Sequence, residues 1–103
     1  MAYSDPYYAT KEHKDWRTLL IARDKGCVIC NSQERLNAHH LIPHKFKKLR
    51  SNIMNGVMLC PSHHTKMGFK ISPHSHGSML FAAWMMKNRP EQFKWVMENW
   101  DEV

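Results

Sequence analysis

Three cysteines among 103 residues are too few for a closed disulfide framework. Carboxylates are missing from the middle of the chain: no Asp or Glu lies between Glu34 and Glu91. No apolar run exceeds the eight residues 79–86, far short of the roughly 20 needed to span a membrane. The opening residues, Met-Ala-Tyr-Ser-Asp-Pro, offer neither a basic n-region nor an apolar h-region. Internal repeats, low-complexity tracts and linkers are absent as well. A secreted disulfide mini-protein and a membrane protein are therefore not expected, and a cytoplasmic location is. The length fits one domain over 1–103, small enough to bury only roughly 60–65% of its unfolded surface and to profit from a staple.

Lys and Arg number 15 against nine acids, giving a net charge of +6 and a pI near 9.4. Such a balance favours a polyanionic partner. Its distribution says more. The acid-free stretch holds Arg35, Lys45, Lys47, Lys48, Arg50, Lys66, Lys70, Lys87 and Arg89, with seven of the eight histidines. By itself the run from Lys45 to Arg50 would be a solvated loop. Here it shares its stretch with metal-ligand chemistry, and a surface without carboxylates does not repel phosphates.

The pattern predicts a small α+β protein. A first helix is expected over 6–25, with Asp5 as cap, Pro6 in its first turn, an apolar face of Trp16, Leu19 and Leu20, and Gly26 as stop. Strands are expected over 36–43 and 56–59, separated by a basic loop at 44–52. Pro61 opens a short helix over 61–67, and 69–77 are irregular. Ser78 caps a further helix with an apolar face of Leu80, Phe81, Trp84 and Met85. Pro90 starts the last, with Phe93, Val96, Met97 and Trp100 as a second stripe; both stripes are expected in the core.

Cys27 and Cys30 form one half-site, and Cys60 and His63, at the same spacing, form another. Four such ligands suit a closed tetrahedral zinc site, whose binding energy is also folding energy in so small a chain. Zinc uses only His63, leaving His64 beside it and the pair His39-His40 upstream. Adjacent helical residues project about 100° apart, so one short helix can serve two metals.

The run Asn-Ala-His39-His40-Leu-Ile-Pro, then Asn55, then Leu-Cys60-Pro-Ser-His63-His64 with Lys66, resembles the HNH nuclease motif. His40 precedes Asn55 by fifteen residues and Asn55 precedes His64 by nine. The resemblance covers about residues 15–68. It implies a ββα-metal (His-Me finger, treble-clef-like) core over about 15–70, stapled by zinc, with a helical extension over about 78–101. It further implies a metal-dependent DNA endonuclease. His39 and His64 would hold a catalytic divalent metal, His40 would be the general base, and Asn55 would orient His40 or help hold the metal. Lys45, Lys47, Lys48, Arg50, Lys66 and Lys70 would contact DNA phosphates, double-stranded DNA being the expected substrate and a protein partner a candidate for targeting. Many family members carry Asp in the place of His39, and colicin-type members have a further His where this chain has Gly68; His74 or His76 could supply that missing ligand. Without a carboxylate ligand, Mn, Ni, Co or Zn should bind more tightly than Mg. His13 and His44 are expected on the surface. The alternative is a catalytically silent zinc-binding module that binds nucleic acid or protein.

Overall fold

A computed structural model describes residues 6–64, 71, 73–74 and 78–102. The elements are helix α1 (Lys11–Asp24), strands β1 (Asn37–His40) and β2 (Gly56–Leu59), the one-turn helix α2 (Pro61–His64), and helices α3 (Ser78–Asn88) and α4 (Pro90–Asn99). The order is the expected one: β2 spans the expected 56–59, and α3 and α4 start at Ser78 and Pro90 as expected. α1 and β1 are shorter than expected, and residues 65–67 of the expected 61–67 helix lie outside the described residues. Residues Pro6–Ala9 form a separate 3-10 turn. The first α-helix begins only after Thr10, whose hydroxyl accepts from the His13 N–H at 3.2 Å. Asp5, the expected cap, lies outside the described residues, as do Lys66, Gly68, Lys70 and His76. At the other end Lys25, not Gly26, makes the stop: it adopts φ 64° and returns its N–H to the Ile21 carbonyl. The expected strand over 36–43 shortens to β1, because residues 41–55 leave the ladder as turns and a 3-10 segment.

β1 and β2 pair antiparallel, with His39 opposite Val57 and His40 opposite Gly56. All four residues of β2 are buried, since the hairpin is covered on both faces. Side chains alternate across a strand. Met58 therefore packs with Trp16 and Leu20 of α1, while Val57 and Leu59 pack with Cys27, Cys60, Phe81 and Met85 on the opposite side. Gly56 is required by that arrangement: a Cβ there would overlap the Trp16 ring and stand 2.7 Å from Leu20 Cδ1.

A polar strut ties the C-terminal helices to this core. Asp24, whose side chain is 1% exposed, takes both prongs of Arg23 (2.7 and 3.0 Å), Arg89 (3.0 Å) and the Met58 N–H (3.0 Å). Burial works to raise its carboxyl pKa, but these partners outweigh it and the net shift is downward. Gln92 is buried because its amide donates to the Met54 and Gly56 carbonyls at 3.0 Å each.

The two apolar stripes are only partly core. Phe81 and Met85 are buried and Trp84, Phe93 and Val96 partly so, but Leu80, Met97 and Trp100 are exposed, Trp100 at 57%. α3 and α4 lie against the hairpin unit and each other, and among the described residues nothing covers their outer faces.

Candidate metal centres and active-site cleft

Val28 N–H donates to the Met58 carbonyl, and Asn31 N–H to the Cys27 carbonyl, so the Cys27–Cys30 turn is pinned beside β2. Immediately after β2, Cys60 and His63 face it. Cys30 and Cys60 Sγ stand 3.7 Å apart, Cys60 Sγ and His63 Nδ1 3.4 Å, and Cys27 Sγ and His63 Nδ1 3.9 Å. Zinc–sulfur bonds of about 2.3 Å in a tetrahedron require S–S edges of about 3.8 Å. The four donors fit a structural zinc.

One residue further along α2, His64 points the other way. It meets His39 of β1 and His74 of the 71–74 segment. Ring centroids are 5.2 Å (His39–His64), 4.7 Å (His39–His74) and 4.4 Å (His64–His74), with every pair near perpendicular. One nitrogen from each lies within 4.8 Å of the others, so the trio could hold a metal ion. Burial, together with the neighbouring histidines, pushes the His39 pKa down to about 3 and that of His64 to about 4; burial also lowers His74. All three are neutral at pH 7, the form in which imidazole ligates a cation.

His40 faces the opposite side of the strand, as regular β geometry demands. Its ring lies flat on Trp16, centroids 3.9 Å apart and 11° from parallel. Its Nε2 is 3.0 Å from the Arg50 carbonyl and 3.3 Å from the Tyr7 hydroxyl. Burial is the main cause that pushes its pKa down to about 4, against the raising effect of the Arg50 hydrogen bond. β1 ends at His40, and beyond that end both histidines line one cleft of about 870 Å³, with His44, His64 and His74 on its polar side and Phe81, Phe93 and Val96 among its apolar walls. No carboxylate lines it among the described residues.

Asn55 is fully buried and acts on backbone: its Oδ1 accepts from Ile42 N–H at 2.6 Å, and its Nδ2 donates to the Ile42 and Leu49 carbonyls. It thereby braces the 42–49 loop that leads to Arg50, and no described hydrogen bond joins it to His40 directly. Lys45, Lys47 and Lys48 are exposed on that loop. Arg50 has other engagements: its guanidinium pairs with Glu12 through Nε and Nη2 (3.1 and 2.9 Å) and lies 4.3 Å over the Tyr7 ring.

His13 and His44 are not plain surface residues. His44 stacks on Tyr7 (5.0 Å, 15°), and His13 packs edge-on to Tyr7 and tilted against Trp16. This aromatic nest around His40 draws on residues more than twenty positions upstream. No local spacing announced it, and only the helical face containing Trp16 was legible in advance.

Residues 27–70 match the family model described as HNH endonuclease. No curated protein and no solved structure matches the chain.

Proposed function

Residues 27–70 are an HNH endonuclease family domain, a family that implies nuclease activity, and on that premise we propose that this protein is a metal-dependent DNA endonuclease with a ββα-metal, treble-clef-like core. The observation that carries the reading is the convergence of His39, His64 and His74 in a cleft that also receives His40 and that no carboxylate lines among the described residues. Cys27, Cys30, Cys60 and His63 would hold a structural zinc. The three imidazoles would hold a second divalent cation, which when bound supplies electrostatic stabilisation of the charge that develops on the phosphate and the leaving oxygen.

The chain's own part is proton transfer and placement. With Nε2 engaged by the Arg50 carbonyl, Nδ1 is the nitrogen of His40 left to accept a proton from attacking water. A lowered pKa keeps it unprotonated at neutral pH. Asn55 fixes the loop that carries both the Arg50 carbonyl and the exposed Lys45, Lys47 and Lys48. These lysines are available for phosphates flanking the scissile bond, a kind of contact that confers affinity and salt dependence without sequence information. Lys66 and Lys70 complete that set in the proposal, and Arg50 serves it as a loop strut.

Supercoiled plasmid incubated with Mg²⁺, Mn²⁺, Co²⁺, Ni²⁺ or Zn²⁺ tests the reading. Wild type should nick or linearise it, and His40→Ala should lose about 10²–10⁴-fold in kcat. Folded, zinc-loaded wild type that cuts with none of these ions would favour the silent binding module. Equal cutting by His40→Ala would remove His40 as the base.

A further inference from the structure

The base assigned to His40 is supported by residues that lie before the matched segment. Its imidazole has one face on Trp16, itself 1% exposed and fixed by a 2.9 Å hydrogen bond from Nε1 to the Asn52 carbonyl. Its edge meets the Arg50 carbonyl and the Tyr7 hydroxyl. Tyr7 is 4% exposed, and its O–H also donates to the Arg50 carbonyl at 3.3 Å. One backbone oxygen thus receives both the phenol and the imidazole. Above the Tyr7 ring sits Arg50, held by Glu12 of α1. A carbonyl accepts only, so the proton on His40 must be on Nε2.

We infer that Tyr7 is a positioning residue for His40: its hydroxyl, the Arg50 carbonyl and the Trp16 face together hold the imidazole as the Nε2–H tautomer with Nδ1 unprotonated. This rests on the reading of His40 as the base. A ring stacked on Trp16 can still flip about its last torsion without leaving the indole face; the Arg50 carbonyl and the phenol beside Nε2 oppose that flip, because a flipped ring would place a carbon where both contacts are made. Tyr7 lies 33 residues from His40, so the 3-10 turn and α1 belong to the active site as support.

Tyr7→Phe removes one oxygen and keeps the ring under Arg50. The expected result is a fall of about tenfold in kcat for plasmid nicking, with KM for DNA unchanged, the loss of one hydrogen bond to an oriented base. A wild-type kcat, or a change confined to KM, would overturn the proposal. Long-range ¹H–¹⁵N correlation on the zinc-loaded wild type, without DNA, reads the tautomer directly. The Nε2–H form is expected at His40 in wild type and, because the Arg50 carbonyl remains, in Tyr7→Phe as well; a wild-type ring in the Nδ1–H form would overturn the inference even if no nuclease activity were found. Absence of activity in wild type with the Nε2–H form intact would instead count against the nuclease reading alone.

Discussion

Gly56 stands where α1, the hairpin and His40 meet. It is the cross-strand partner of His40, and both residues face Trp16. A methyl group at 56 has nowhere to go except into the indole, so Gly56→Ala should destabilise the fold by about 1–3 kcal/mol, measured as a shift in urea midpoint. It should also displace the ring beneath His40, with a loss of nicking activity larger than the stability change accounts for. Asp24 is the other residue whose role is set by its neighbours. Asp24→Asn leaves Arg23 and Arg89 without their carboxylate and should cost about 2 kcal/mol, read in the same denaturation series.

The division of labour within α2 is an effect of helix geometry. Four residues make one turn, and neighbouring side chains diverge by about 100°. His63 accordingly joins Cys27, Cys30 and Cys60, while His64 joins His39 and His74. Removing one should not resemble removing the other. His63→Ala or Cys60→Ala should abolish zinc retention and cooperative unfolding, whereas His64→Ala should keep the wild-type circular dichroism spectrum and zinc content and lose activity. Loss of fold in both would refute the two-site split. β1 shows the same principle with period two: His39 and His40 separate onto opposite faces and share a cleft only because the strand stops there.

For the whole molecule, a zinc held by Cys27, Cys30, Cys60 and His63, together with the partly buried histidines, would set the response to chelators and acid. Structural zinc sites contribute about 10 kcal/mol or more of binding energy to folding, which exceeds the usual net stability of a domain this size. Excess chelator should therefore unfold the protein, followed by far-ultraviolet circular dichroism. Acid should act earlier than carboxylate titration alone would. Free imidazole titrates near 6.5, while His40 and His64 are held at about 4 and His39 at about 3. Between these values the unfolded chain binds protons that the native chain refuses, so stability falls as pH drops below 6.5. Glu12, held at about 2 chiefly by Arg50 and then by Ser51, adds a contribution present above about 4.5 and lost toward 2. Thermal midpoints measured from pH 8 to 4 should decline from about 6.5 downward; a flat profile to pH 5 would contradict the partly buried, neutral histidines.

The two Cys/His half-sites, the order of helices and strands, and the pairing of His63 with His64 were set by local spacing, because ligand geometry and helical periodicity operate within a few residues. The third imidazole of the trio, His74, is one of two histidines the sequence offers for that place, since no periodicity in the sequence around it says which of them is aimed at the site. The nest of Tyr7, Trp16 and Arg50 around His40, the engagement of Arg50 by Glu12, and the exposure of Leu80, Met97 and Trp100 were decided by tertiary packing. Contacts across 33 residues, and the number of layers available to cover a helix, depend on how whole elements meet, and no window of sequence contains that.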